Sequence, residues 1–284
     1  MGGGEPLSGM APVPVSVPEA AELESFGDGS PFHQMGISSH EPLSELERRG
    51  RQPCPSCKKS ILYFCYRCVW APPTVALPLV TLPLQLVVVK HKRELEGKST
   101  AVHAKLLAPS QVDLVTFDPS GPQLLTQSEE SVSLEEEGDV LLFPDADAVQ
   151  VSELDWRSVK RLIVIDGTWQ QAKSMLRSTQ LTSLKRVKLD GTHQTVFWRY
   201  QSLGPHCLST IEAIHRFYLE YCECQAAQAE LRGNLDNLLY IFSYFYQLIQ
   251  QDYAKNPTRK YTSKHRQDYI ATRRTTIIPE EQDK

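Results

Sequence analysis

The run Arg161-Leu-Ile-Val-Ile165, leading straight into Asp166-Gly167-Thr168-Trp169, most constrains what this chain can fold into. An unbroken apolar run of this length, closed by turn residues, reads as a strand. A helix follows through about Arg177, because Trp169, Ala172, Met175 and Leu176 recur at helical spacing. Further strands are expected at Leu84–Val89, Val112–Phe117, Val140–Phe143 and Leu184–Leu189, and a short helix at Ser99–Leu107. Ser209-Thr210-Ile211-Glu212 has the spacing of a capping box and opens a helix running to about Gln225. A last helix over Asp236–Tyr253 carries Leu238, Ile241, Phe242, Phe245, Leu248 and Ile249 as one core-facing stripe, with Tyr240, Ser243, Tyr244, Gln247 and Gln251 away from its centre. Strands alternating with helices predict an α/β fold with a mostly parallel sheet. The polar, acidic stretch Gln123–Gly138 reads as a surface loop or insertion.

The charge is unevenly distributed. The chain has 284 residues and a formal net charge of −4, mild enough to argue against attachment to nucleic acid by bulk charge alone. Residues 1–50 hold eight acids against Arg48 and Arg49, with eight of the fifteen glycines and six of the nineteen prolines. They are expected to form a disordered acidic leader, too poor in apolar residues to offset its ordering entropy. Seven basic residues lie between Lys255 and Arg274 against Asp268, with Tyr261 and Tyr269 interleaved. This tail, taken as 255–284, is either a solvated end or a nucleic-acid arm or nuclear address. No apolar stretch reaches the roughly 20 residues that span a bilayer, and no secretory or myristoylation signal follows Met1. A soluble protein is expected, with no feature calling for an obligatory protein partner.

Four of the seven cysteines form Cys54-Pro-Ser-Cys57 and Cys65-Tyr-Arg-Cys68. Two such knuckles on a short hairpin can direct four thiolates at one tetrahedral Zn²⁺, a closed set suited to a structural role. Two disulfides or a redox pair compete with that reading. A zinc-ribbon-like knuckle is therefore expected over 51–72, ahead of a larger α/β domain over 73–254. Cys207, Cys222 and Cys224 lack metal-ligand spacing.

Gly97-Lys98-Ser99-Thr100 ends like a phosphate-binding P-loop, but Lys92 stands where the motif needs its first glycine. The stretch still opens a helix whose free amides suit an anion. Asp166 is more specific, since ligands of open α/β sheets bind at the carboxyl ends of strands. Its competing role is a helix cap.

Asp166-Gly167-Thr168-Trp169 resembles the Asp-x-Thr-Trp signature of the DTW-domain family. Trp198-Arg199 and Leu208-Ser209-Thr210-Ile211-Glu212-Ala213 resemble its second block. The double CxxC, Gly97–Ala104 and Leu141-Leu-Phe-Pro144 precede them in the family's order. The resemblance spans about Cys54–Gln250. It implies a tRNA-uridine aminocarboxypropyltransferase, which moves the 3-amino-3-carboxypropyl group of S-adenosylmethionine to N3 of a tRNA uridine, in the D-loop, to form acp3U. It also implies a SPOUT-like fold with a knotted sheet.

On that resemblance Asp166, Thr168 and Trp169 are the candidate catalytic group. Asp166 would act as base or as a positioning group, Thr168 as a donor to the ligand, and Trp169 as an adenine contact or a helix anchor. Gly167, Arg199, Ser209, Thr210 and Glu212 are the candidate cofactor-binding group. Arg199 would pair with the methionine carboxylate or a tRNA phosphate, and capping competes for Glu212. The expected partner is tRNA, approached through the knuckle and the basic tail, and the expected location is the nucleus, with the cytoplasm second. A SPOUT-type RNA methyltransferase and a non-catalytic zinc-ribbon nucleic-acid-binding protein are the competing readings.

Overall fold

The computed structural model describes residues 24–118, 124–126, 131–135, 137–199, 204–225, 230–256 and 258. The elements follow in chain order as α1 (Glu41–Arg49), β1 (Gln52–Pro53), β2 (Ser60–Ile61), β3 (Gln85–His91), α2 (Ala101–Leu107), β4 (Val112–Phe117), β5 (Leu124–Thr126), β6 (Ser131–Val132), β7 (Asp139–Leu142), β8 (Val149–Gln150), β9 (Arg161–Asp166), α3 (Trp169–Met175), α4 (Thr179–Thr182), β10 (Lys185–Lys188), α5 (Thr210–Cys224), α6 (Arg232–Leu235) and α7 (Tyr240–Lys255).

Apart from the small β1–β2 hairpin, the strands form one sheet in the order β6-β5-β4-β3-β9-β7-β10-β8. The six strands from β4 to β8 are parallel, and β5 and β6 add an antiparallel edge. The mostly parallel α/β architecture expected from the sequence is present. The stretch 123–138 is not all loop, because β5 pairs onto the open edge of β4 and β6 onto β5. β9 enters between β3 and β7, and β10 between β7 and β8, so the late strands fill positions flanked by earlier ones.

Both faces of the central strands are covered, which is why they read as unbroken apolar runs. Leu86, Val88, Leu162 and Val164 pack on one side with Leu107, Ile211 and Ile241 of α2, α5 and α7. Val87, Val89, Ile163 and Leu141 pack on the other with Met175 and Leu181 of α3 and α4. Each fully buried aliphatic side chain contributes about 1.5–3 kcal/mol. A charge substitution at Val88 or Ile163 would forfeit that burial with no room for an ion partner. No helix among the described residues is long and apolar enough to cross a membrane.

The expected disordered leader needs correction over residues 24–50. Residues 1–23 lie outside the described residues, but α1 and the turns before it bury Phe26, Phe32, Ile37, Leu43 and Leu46 in the main core. Few apolar residues are present, yet they meet one surface. Phe32 packs edge-on against Phe242 and Tyr246. Asp236 accepts from the Gly36 amide at 2.9 Å, Asn237 from the Ser38 amide at 2.8 Å, and Glu47 from the Tyr244 hydroxyl at 3.0 Å. This segment explains why Tyr240, Ser243 and Tyr244, expected off the stripe, are buried. The long last helix also begins later than expected, since Asp236–Leu239 is a tight 3₁₀ turn. Beyond Thr258 the basic tail lies outside the described residues.

Candidate active site

Asp166 ends β9 and is 3% exposed. Its two carboxylate oxygens serve two different helix starts. Ser99, just before α2, donates its hydroxyl to Oδ2 at 2.6 Å. Thr210, the first residue of α5, donates to Oδ1 at 2.6 Å. A third link ties the same helices, because Thr100 Oγ1 accepts from the Ile211 amide at 3.1 Å. Asp166 is thus a buried bridge at the carboxyl edge of the sheet rather than a cap of its own helix.

Capping of α3 falls to Thr168. Its hydroxyl accepts from the Gln171 amide at 3.3 Å, while the Gln171 side chain accepts from the Thr168 amide at 2.7 Å. That reciprocal box satisfies two of the helix's orphan amides. Gly167 lets Gln171 fold back this closely, since a Cβ there would stand 3.0 Å from Gln171 Oε1 and 3.5 Å from His91 Cβ. Trp169 is half-buried and does not join the apolar core beneath α3. Its ring lies 5.8 Å from that of Phe143, on the wall of a cavity.

Ser209 caps α5 as its spacing predicts. Its hydroxyl and amide both donate to Glu212, at 2.6 and 2.7 Å. The buried Glu212 also accepts from Thr195 Oγ1 and the Val196 amide, each at 2.7 Å. Burial pushes its carboxyl pKa up, and these four donors pull it back. Glu212 is not on the cavity wall. Of the two roles weighed for it, the structure shows capping, and Glu212 in addition tethers the loop ahead of Arg199. At the α5 start the Ile211 amide goes to Thr100 and the Glu212 amide to Ser209, so neither is free for an anion.

Arg199 reaches the Gly97 carbonyl at 2.8 Å through one guanidinium nitrogen and lies 5.9 Å over the Phe197 ring. Its Nε is buried with no partner among the described residues, and burial lowers its pKa. A buried, unmatched guanidinium donor on a cavity wall is receptive to an oxyanion.

These groups surround a cavity of about 880 Å³, inside the range of small-molecule and cofactor sites. It opens at the carboxyl ends of β9, β7, β10 and β8, the edge where open α/β sheets bind ligands. Asp166, Gly167, Thr168, Trp169, Arg199, Ser209 and Thr210 all face it. Sequence reasoning missed Ser99 and Gln171, which hold the wall, and Glu94, Lys188, His193 and Cys207, which line it. Glu94 carried a readable signal, three residues after the β3 run. Gln171 lies in α3 and Lys188 ends β10, whereas Ser99, His193 and Cys207 sit in irregular connections with no periodicity to mark them.

The four cysteines of the double CxxC converge, every Sγ lying within 4.8 Å of the others. A tetrahedral Zn²⁺ with bonds of about 2.3 Å needs thiolates about 3.8 Å apart, so the donor set fits zinc. The two halves repeat one geometry. Cys54 donates its amide to the Lys59 carbonyl and Cys65 to the Trp70 carbonyl, each at 2.8 Å. Lys58 and Val69, the residues after each CxxC, adopt φ of 60° and 47°. Such left-handed residues cost of order 1–3 kcal/mol and persist where surroundings fix them, as a shared metal would. The amide hydrogen bond from Cys57 lowers the Cys54 thiol pKa, while burial raises those of Cys65 and Cys68. The knuckle is joined to the main fold. Phe64 and His103 of α2 pack edge-on, the Tyr63 ring lies tilted against Phe245, and Lys59 pairs with Glu96 at 3.6 Å.

A family model for the DTW domain matches residues 52–250. A Xenopus laevis relative named tRNA-uridine aminocarboxypropyltransferase 1 is 33% identical over 276 residues, covering 81% of this chain and 93% of its own length. The Mus musculus protein of that name is 33% identical, covering 81% of this chain and 87% of its own. The Homo sapiens protein of that name is 30% identical with the same two coverages. No solved structure matches the chain.

Proposed function

The chain belongs to the DTW-domain family, and from that premise we propose that it is a tRNA-uridine aminocarboxypropyltransferase using S-adenosylmethionine. The observation that carries this reading is the position of the Asp166–Trp169 signature: it forms the wall of the large cavity at the sheet's carboxyl edge, together with Arg199 and Thr210.

In this reaction the uridine N3 attacks the γ-carbon of the methionine arm. The γ-carbon–sulfur bond breaks, its electron pair stays on sulfur, and 5′-methylthioadenosine leaves. Choosing the γ-carbon over the methyl is a matter of placement, because both adjoin the same sulfonium. The cavity supplies the means to place it. The apolar wall around Leu142, Phe143 and Trp169 suits the adenine ring. The Arg199 Nε, without a partner among the described residues, suits the methionine carboxylate.

Asp166 acts as a positioning group here. Its hydrogen bonds to Ser99 and Thr210 lock the β3–α2 turn against the start of α5, fixing opposite walls of one site. Thr168 and Gln171 hold the α3 start in register beside them. In the knuckle, Cys54, Cys57, Cys65 and Cys68 would hold a structural Zn²⁺, which supplies a fixed crosslink and no chemistry to the transfer. The cations Arg51, Lys59 and Arg67 beside it face a groove shared with Gly97, whose carbonyl Arg199 holds. This surface suits the tRNA backbone around the entering uridine.

The test is incubation of the purified protein with S-adenosylmethionine and unmodified tRNA, followed by nucleoside mass spectrometry. An aminocarboxypropyl adduct with methylthioadenosine is expected. A methyl adduct with adenosylhomocysteine, or no product from folded protein, would overturn the reading.

A further inference from the structure

The transfer leaves one proton to be placed. Uridine N3 carries an imide hydrogen, and forming the N3–carbon bond releases it while the sulfonium becomes a neutral thioether. The site must therefore contain an acceptor within reach of N3.

Asp166 is poorly suited. Both of its oxygens already accept short hydroxyl hydrogen bonds, and it is 3% exposed. Protonating it would weaken the clamp that holds α2 to α5 at the moment the site needs rigidity. Glu212 is off the wall and takes four donors. Asp190 Oδ1 is occupied by the Thr192 amide. His206 is tied through Nδ1 to the His193 carbonyl, and the His193 ring is held against the Thr192 hydroxyl.

Glu94 differs from all of these. It sits in the turn after β3, its backbone fixed by an amide hydrogen bond to the His91 carbonyl at 2.8 Å. It lines the cavity, close enough to Asp166 and Arg199 for charge coupling to both. We infer that Glu94 is the general base that takes the imide proton from N3 of the target uridine, an assignment that rests on the transfer proposed above. The surroundings tune it for that work. Burial and the fixed negative charge of Asp166 push its carboxyl pKa up, against the smaller downward pull of Lys98 and Lys90. A carboxylate raised in this way accepts a proton more readily than a solvated one. The electron pair freed on N3 forms the new bond, and the proton leaves Glu94 for solvent at the cavity mouth.

The test compares Glu94→Gln with wild type in single-turnover transfer, using S-adenosylmethionine and a tRNA transcript. Binding of each substrate and thermal unfolding are measured alongside. Glu94→Gln is expected to slow transfer by about 10²–10⁴-fold, with both affinities within about threefold of wild type. The deficit is expected to shrink on a transcript carrying 5-fluorouridine throughout, because the fluorine acidifies N3 and lessens the need for a base. Three outcomes would overturn the assignment: a folded Glu94→Gln protein with near-wild-type rate, a loss confined to S-adenosylmethionine binding, or a rate deficit that 5-fluorouridine leaves unchanged. The wild-type reaction separates the two levels. If it makes no adduct the functional reading fails and the base assignment falls with it, whereas an active wild type isolates Glu94.

Discussion

Ser99 and Asp166 lie 67 residues apart and meet at 2.6 Å at the carboxyl edge of the sheet. β3 and β9 are parallel neighbours in register from Gln85–Arg161 to Lys90–Asp166, so whatever follows β3 is delivered beside the end of β9. The hydrogen bond is a consequence of that register, and Thr210 completes it from the other side.

The shared carboxylate makes Asp166 part of the fold's frame as well as of the cavity wall. Asp166→Ala would leave the buried Ser99 hydroxyl and the half-buried Thr210 hydroxyl without their acceptor, at about 1–3 kcal/mol for the buried one. The expected outcome is loss of aminocarboxypropyl transfer together with a drop in melting temperature. The ligand-site reading of Asp166 from the sequence would lead one to expect lost activity with folding intact. Thermal unfolding of Asp166→Ala and Ser99→Ala, singly and together, checks the bridge: the double variant should lose less than the sum of the singles.

Glu212→Ala should act at a distance. It removes the acceptor for Ser209, Thr195 and the Val196 amide, freeing the loop that carries Phe197 and Arg199. Stability should fall by about 1–3 kcal/mol, and S-adenosylmethionine affinity should fall with it because Arg199 loses its placement. Isothermal titration alongside calorimetric melting measures both. Unchanged affinity in a destabilised protein would restrict Glu212 to the fold.

His103 predicts a specific acid sensitivity. It is buried between Phe64 and Phe245, Nδ1 has no partner among the described residues, and burial lowers its pKa from 6.5 to about 3. Below pH 6.5 the unfolded chain therefore takes up a proton that the folded chain refuses. The stability linked to this group is fully present above pH 6.5 and falls by up to about 1.4 kcal/mol per pH unit as pH drops towards 3. Denaturant titrations from pH 7 to pH 4 should show a shallower decline for His103→Phe than for wild type.

Much of the sheet was legible because its strands are buried on both faces and so are written as unbroken apolar runs, Leu84–Val89 and Arg161–Ile165 above all. The Ser209–Glu212 capping box was legible because both partners lie within one turn. The links that build the site were not. Ser99 to Asp166 follows from the β3–β9 register and Thr100 to Ile211 from the meeting of the α2 and α5 starts, neither of which local spacing encodes. The Gly97–Thr100 stretch therefore read as an anion cradle when its two hydroxyls serve inside the protein. Phe26, Phe32 and Ile37 were hidden by averaging, since a segment rich in glycine, proline and acid still docks when its few apolar residues share one face.

That docking gives the last prediction. Removing residues through Gly50 would expose the α7 surface that Phe32, Leu43 and Leu46 cover, and strip the Gly36 and Ser38 amides from Asp236 and Asn237. Loss of three buried apolar side chains alone is worth about 1.5–3 kcal/mol each, a large share of a typical domain's stability of 5–15 kcal/mol. The truncated protein should melt well below the full chain or fail to fold, and should bind the dye ANS through the exposed α7 face. A disordered leader predicts the opposite, unchanged melting and no dye binding. A milder variant decides the matter if truncation yields no soluble protein: Phe32→Ala in the full chain should cost about 3–5 kcal/mol if the ring is buried against Phe242 and Tyr246, and nothing if the segment is free.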